Sequence, residues 1–104
     1  LDKIDWLGIA YWYMDDGSLI ISKNKNGNRR PSIEFHTESF SDNERWLLRE
    51  MLRTKFGLHT STRPCNGDSN QQKIVSKHKK EVAPFLEQIR KFIIPAMEYK
   101  IRWI

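Results

Sequence analysis

The stretch LGIAYWYMDDGS, Leu7 to Ser18, joins an apolar, aromatic run to two adjacent carboxylates and a glycine. Its apolar residues recur at helical spacing and Asp2 is a suitable N-cap, which predicts a buried helix from about Asp2 to Asp15. Gly17 can leave that helix at positive φ. Asp15 and Asp16 would then face the negative end of the helix macrodipole, which costs roughly several tenths of a kcal/mol. Three interpretations follow: a nearby metal ion, a nearby basic group, or a solvated acidic turn.

A hairpin with a long basic loop is predicted after the first helix. Residues 19–21 form a short apolar run, residues 23–31 read KNKNGNRRP, and residues 32–37 alternate polar with apolar side chains. In the second strand, Ile33 and Phe35 are expected to face the core.

The clearest helix signals lie between Phe40 and Gly57. Ser41 and Glu44 have the spacing of a capping box, and Gly57 supplies a C-terminal stop. The other face of this helix is charged, and the pattern predicts a solvated surface for three arginines, Arg45, Arg49 and Arg53.

A second hairpin and a third helix complete the pattern. Residues 58–63 and 72–76 read as strands joined by PCNGDSNQ, and apolar residues return to helical spacing over residues 80–93. The order helix, hairpin, helix, hairpin, helix predicts an α+β fold, in which a four-stranded antiparallel sheet carries helices on one face. We expect residues 1–104 to form a single domain.

The chain is basic, with 18 Lys and Arg against 13 Asp and Glu, a net charge of +5 and a pI near 9.5. This balance favours nucleic acid as a partner. Cys65 is the one cysteine, so an internal disulfide is excluded and a structural zinc site is not expected. Neither a signal peptide nor an apolar run of about 18 residues is evident, so we expect an intracellular protein of the cytoplasm or an organelle matrix, without a membrane partner.

The open face of the predicted sheet and its basic loops suit a ribbon lying in a DNA groove. A one-residue slip in register would exchange the two faces. The KHKK run, residues 77–80, is either a phosphate contact or a solvated basic patch. The predicted DNA-binding residues are Ser22, Lys23, Lys25, Arg29, Arg30, Glu34, His36, Ser61, Arg63, Gln72 and Lys73.

Three segments carry a resemblance to a known family. IAYWYMDDG, at residues 9–17, resembles the motif of the LAGLIDADG homing endonucleases, in the branch that reads close to LAYWFMDDG. HTESFS, at residues 36–41, and IPAMEYK, at residues 94–100, resemble two further segments of that branch in the same order. The family's αββαββα half-domain agrees with the predicted order of elements.

The resemblance implies a metal-dependent DNA endonuclease that uses Mg²⁺. Asp16 stands where the family places its metal-binding catalytic aspartate, and Lys100 where it places its active-centre lysine. Glu38 lies where relatives often have Gln in the water network around the scissile phosphate. Asp15 is expected to offer its backbone carbonyl to the metal or to make a local hydrogen bond. Hard oxygen ligands of this kind suit magnesium.

One motif per chain implies pairing, because cutting both DNA strands requires two aspartates. The chain is therefore interpreted as a homodimer subunit or as half of a longer pseudo-symmetric protein. Its double-stranded DNA substrate would lie across both sheets. The alternative is a non-catalytic relative on the same scaffold, either a DNA-binding regulator or a maturase that binds intron RNA. The predicted pairing surface on the first helix comprises Leu7, Gly8, Ala10, Tyr11 and Met14.

Overall fold

The computed structural model describes residues 5–23, 25–65 and 68–103, and only the backbone of residues 68–70. The order αββαββα is confirmed, and a 3-10 segment follows the third helix. None of the described helices has the length and apolarity needed to cross a membrane. The elements are α1 (Trp6–Asp16), β1 (Gly17–Lys23), β2 (Arg29–Phe35), α2 (Asp42–Phe56), β3 (Ser61–Cys65), β4 (Asp68–Ser76), α3 (Lys79–Ile89) and 3-10 turns at Arg90–Phe92 and Pro95–Lys100.

Helix α1 begins and ends differently from the prediction. Asp5 is its N-cap, accepting a hydrogen bond from the Gly8 amide at 2.9 Å, whereas the predicted cap, Asp2, lies outside the described residues. The predicted positive φ at Gly17 is wrong, since its φ is −94°. A Cβ at Gly17 would instead lie 2.5 Å from the Tyr13 carbonyl oxygen and 2.7 Å from Cε1 of its ring. Glycine is therefore required by close packing against Tyr13.

Helix α2 confirms its predicted caps. The Ser41 amide donates to the Glu44 carboxylate at 2.8 Å and the Glu44 amide donates to Ser41 Oγ at 3.1 Å, which completes the capping box. Gly57 ends the helix in the left-handed region with a φ of 69°.

The prediction of a solvated arginine face on α2 is wrong for two of its three members. Arg45 is only 4% exposed and Arg49 is half-buried, whereas Arg53 is exposed as predicted. The guanidinium of Arg45 donates to the carbonyl oxygens of Thr37 and Phe40, which are polar partners that sequence periodicity does not reveal.

The sheet has the strand order β1-β2-β4-β3, with antiparallel pairing throughout. Strands β3 and β4 extend further into the second hairpin than predicted. A register shift between Pro64 and Cys65 lets the pairing continue to Asp68. The predicted loop PCNGDSNQ is therefore partly strand.

Aromatic packing fixes α1 against the sheet and against α2 and α3. Trp12 stacks on Phe35 of β2 with ring centroids 4.4 Å apart, and Tyr13 meets the same ring edge-on at 5.7 Å. On the other side of the helix, Trp6 packs against Phe56 at 4.8 Å and Phe85 at 5.9 Å. The end of α1 is thus held rigidly at one end of the sheet.

Candidate active site

The C-terminal turn of α1 is joined to the last 3-10 segment by two reciprocal hydrogen bonds. The Tyr13 hydroxyl donates to the Lys100 carbonyl oxygen at 2.6 Å, and Lys100 Nζ donates to the Met14 carbonyl oxygen at 2.6 Å. Burial raises the pKa of Tyr13, so its hydroxyl remains a proton donor. The ammonium group of Lys100 lies at the negative end of the helix dipole, which it stabilises. A basic group therefore does lie near the acidic helix end.

Asp16 is the last residue of α1, and its side chain is half-buried. Its carbonyl oxygen accepts a hydrogen bond from the His36 amide at 2.9 Å, which connects the helix end to the end of β2. Asp15 beside it is exposed. The structure thus brings the two predicted catalytic residues, Asp16 and Lys100, to the same helix turn from opposite ends of the chain.

The donor set at this turn fits part of a divalent-metal site. Carboxylate and backbone carbonyl oxygens are the hard ligands that Mg²⁺ prefers. Across residues 5–23, 25–65 and 68–103, however, no three His, Cys, Asp or Glu side chains lie together as a potential metal site. Within the described residues, this turn therefore supplies only part of a metal ligand set.

A chain of hydrogen bonds crosses the sheet beside Asp16. Ser18 Oγ lies 3.0 Å from His36 Nε2, and His36 Nδ1 lies 3.2 Å from Glu38 Oε1. Cys65 Sγ donates to the same Glu38 oxygen at 3.2 Å. Partial burial raises the pKa of Glu38, but hydrogen bonds from its own backbone, Cys65 and His36 together bring it below its usual range. Glu38 is therefore an ionised acceptor that orients the His36 ring.

The sequence did not predict two residues of this hydrogen-bonded series, Ser18 and Cys65. Ser18 shares the strand parity of Ser22, so the alternation that selected Ser22 for the open face could also have selected Ser18. Cys65 reaches Glu38 from β3, 27 positions along the chain, and no local sequence signal connects them.

The open face of the sheet contains most of the predicted DNA-binding side chains. A groove of about 320 Å³ on this face is lined by Ser22, Arg30, Glu34 and Arg63, among others. The register places Ser61 on the same side, and Lys23, Lys25 and Arg29 are exposed around the β1–β2 turn. His36 is exposed at the end of this face beside Ser18.

Two of the predicted DNA-binding residues occupy different environments from those expected. Gln72 alternates with Lys73 along β4 and lines a hollow on the helix side with Arg49, so its predicted outward orientation is wrong. Lys73 takes the outward position, because Gln72 lies two residues before the buried Ile74 and therefore shares its side of the sheet. Glu34 faces outward but is 4% exposed and forms an ion pair with Lys73 at 2.9 Å.

The predicted pairing surface on α1 is only partly available. Leu7 is 41% exposed, Tyr11 is 59% exposed, and Gly8 is half-buried between them. Ala10 and Met14 are buried within the domain at 0% and 7% exposure, so their predicted place in an interface is wrong. The helix period directs them to the domain's own core, and the free stripe is Leu7, Gly8 and Tyr11.

Residues 1–85 match the model of the LAGLIDADG DNA endonuclease family. The chain belongs to this family. It is 32% identical over 102 residues to the probable intron-encoded endonuclease 1 of Wickerhamomyces canadensis, covering 97% of this chain and 41% of that relative. The chain thus spans about two fifths of the length of this relative.

Solved structures agree with the family assignment. The homing endonuclease I-WcaI bound to its DNA recognition sequence superposes with a TM-score of 0.78 and 29% identity, over 97% of this chain and 42% of that one. The homing endonuclease I-CvuI, in complex with its target in the presence of 2 mM Ca, gives a TM-score of 0.61 at 13% identity, over 91% and 60% of the two chains. The second likeness concerns the fold alone.

Proposed function

We propose that this domain is one half of a site-specific double-strand DNA endonuclease. The observation that supports this most strongly is that Lys100 Nζ bonds to the Met14 carbonyl oxygen in the last turn of α1, which ends at Asp16. Phosphodiester hydrolysis needs a bound divalent cation and a positive charge near the phosphate, and these residue types supply both.

Asp16 would hold the metal through its carboxylate, with Asp15 contributing at most its backbone. When bound, Mg²⁺ stabilises the charge that develops on the phosphate and lowers the pKa of the attacking water. Lys100 already contacts the Met14 carbonyl, so its ammonium group is held near that phosphate at little further entropic cost. Its role is to stabilise the added negative charge or to orient the water.

Glu38 acts as a positioning residue in this proposal. Its Oε1 atom is occupied by the His36 ring and the Cys65 thiol, which leaves this oxygen unavailable to a water molecule. By fixing the His36 ring, Glu38 also fixes the hydrogen bond between His36 and Ser18. These two side chains would then meet DNA in one orientation at the end of the groove.

The groove on the open face would receive the duplex. Arg30 and Arg63 are placed to contact phosphates or guanine edges, and Ser22 and Ser61 can donate or accept hydrogen bonds. Lys73 neutralises Glu34, so that the buried carboxylate does not repel DNA. The net charge of +5 favours association with the same polyanion.

Pairing with a second domain would place a second aspartate opposite Asp16. The free stripe of Leu7, Gly8 and Tyr11 leads along α1 toward Asp15, so a partner helix lying on it would approach the metal-binding end. Close approach is favoured where a glycine has no side chain. The partner is either a second copy of this chain or another half-domain of the same polypeptide.

The test is cleavage of duplex DNA by Asp16→Asn in Mg²⁺. We expect the rate to fall by on the order of 10² to 10³ or more, because a group that stabilises charge in the transition state is lost. DNA affinity should stay within about threefold of wild type, since affinity depends mainly on phosphate contacts. Cleavage of a randomised duplex library, read by sequencing the ends, and binding by fluorescence anisotropy measure the two quantities.

Asp15→Asn is the matched control, because it removes the same charge from the neighbouring exposed residue. It should retain cleavage, and a chelator should abolish cleavage by both wild type and this control. Cleavage by Asp16→Asn at a rate near that of wild type would refute the assignment of Asp16. DNA binding without cleavage by a dimeric wild-type chain would instead favour a non-catalytic role, whereas a monomer that binds and does not cleave would indicate a missing second half-domain.

A further inference from the structure

A basic cavity lies next to the open face and shares Arg30 and Lys77 with its groove. Its volume is about 430 Å³, and its lining consists of Arg30, Lys77, His78, Lys79, Lys80 and Glu81. We call this cavity the basic pocket. It brings a strand residue near the β1–β2 turn together with the connection from β4 to α3.

The positive charge of the basic pocket is not compensated locally. Within the described residues, Arg30, Lys77 and Lys80 make no ion pair. The pocket's one carboxylate, Glu81, is already engaged. The His59 amide donates to Glu81 Oε1 at 2.8 Å, and His59 Nδ1 lies 2.7 Å from Oε2. Four cationic side chains therefore surround a space in which, among the residues described, the one acid is directed to another partner.

Two further features hold the pocket in shape. Lys79 Nζ lies 5.1 Å above the ring centroid of Trp103, a cation–π contact that fixes this side chain. The amides of Glu81 and Val82 both donate to the His78 carbonyl oxygen, at 2.9 and 2.8 Å, which sets the tight entry into α3. The backbone after His78 is thus held in the first turn of α3.

The basic pocket continues directly into the groove of the open face. Arg30 and Lys77 line both spaces, so no element separates them. A duplex lying in the groove would therefore pass a backbone phosphate over the pocket. Such a phosphate can accept hydrogen bonds from Lys and Arg without any information about base sequence.

We propose that the basic pocket binds a phosphodiester group of the duplex DNA that occupies the open sheet face, and so anchors the DNA irrespective of its sequence. This inference rests on the proposed DNA-binding function. Its ligand is a nucleic-acid backbone phosphate, and its key residues are Arg30, Lys77 and Lys80. Lys79 contributes charge from its fixed position on Trp103.

The salt dependence of DNA binding tests the inference. The double variant Lys77→Ala/Lys80→Ala is compared with wild type on a 30-base-pair duplex of random sequence, by anisotropy across a series of KCl concentrations. Each lost phosphate contact should reduce the slope of log K against log salt by about 0.9. We therefore expect the slope to become shallower by one to two phosphate equivalents, with weaker binding at low salt and a wild-type circular dichroism spectrum.

Lys55→Ala/Lys91→Ala is the matched control, since it removes two positive charges from exposed residues on α2 and after α3. It should leave the slope close to that of wild type. Equal slopes for wild type and Lys77→Ala/Lys80→Ala, or an equal loss in the control, would overturn the pocket while leaving the endonuclease proposal intact. Failure of the wild-type chain to bind duplex DNA at any salt would instead refute the DNA-binding function itself.

Discussion

Two arginines of α2, Arg45 and Arg49, carry the same charge as the cationic side chains of the basic pocket but have opposite surroundings. Arg45 is buried, and its guanidinium donates to two carbonyl oxygens and to the Asp42 carboxylate. Arg30 and Lys77 are exposed and form no ion pair with any described residue. One group connects parts of the protein to each other, and the other leaves its positive charge available to a partner.

The difference indicates that hydrogen-bond partners, rather than charge, separate structural cations from those that stay available to a ligand. A buried guanidinium is tolerated only when its donors are satisfied, because removing a charge from water is costly. An exposed ammonium group stays in water and has no such desolvation cost. Its most favourable interaction is with a phosphate. Mutations in the two groups should therefore affect different measurements: unfolding in the first and DNA binding in the second.

The largest effect is expected for Arg45→Met. The change keeps the buried aliphatic volume but leaves the carbonyls of Thr37 and Phe40 without their donor, which should lower the free energy of unfolding by about 2 to 4 kcal/mol. Urea unfolding followed by circular dichroism measures this. Arg53→Met on the same helix is the control, since Arg53 is exposed and forms an exposed ion pair with Glu50, and its unfolding midpoint should not move. Equal shifts in both variants would contradict the structural role of Arg45.

A smaller effect is expected for Arg49→Ala. Arg49 is half-buried and donates to Thr60 twice, from Nε to Oγ1 at 3.1 Å and from a terminal nitrogen to the carbonyl at 2.6 Å. Loss of these two hydrogen bonds should lower the free energy of unfolding by about 1 to 1.5 kcal/mol in the same experiment. Arg49→Lys keeps the charge but not the planar fork, so it should recover only part of the loss. Full recovery by lysine would show that charge alone matters at this position.

The sequence predicted the elements whose signals are local. The Ser41–Glu44 capping box and the Gly57 stop depend on residues a few positions apart, and both were confirmed. The acidic end of α1 was also recognised as a place that needs a cation, and Lys100 supplies one. The three motifs that resembled the LAGLIDADG endonucleases indicated the family, which the comparison of residues 1–85 confirmed.

What the sequence did not predict depends on contacts between distant parts of the chain. Arg45 can be buried because carbonyl groups of the β2–α2 loop accept its hydrogen bonds. Hydrophobic periodicity carries no information about such partners. The orientation of Gln72 was reversed because it shares its strand parity with Ile74, which is buried in the core, and a one-residue error exchanges the two faces of a strand. The link between Cys65 and Glu38 joins β3 to the end of β2 and has no local signature.

The smallest effect on folding and a clear effect on binding are expected for Arg30→Ala. Arg30 lines both the groove and the basic pocket, and it makes no ion pair within the described part of the chain. Its removal should therefore change the free energy of unfolding by no more than about 0.5 kcal/mol, as for other surface substitutions. The salt slope of DNA binding should become shallower by about one phosphate contact, because one guanidinium–phosphate pair is lost. Measured on the same preparation, these two results would show that Arg30 is available to DNA and is not needed for folding. A loss of stability similar to that of Arg45→Met, with an unchanged salt slope, would show instead that Arg30 has a structural role.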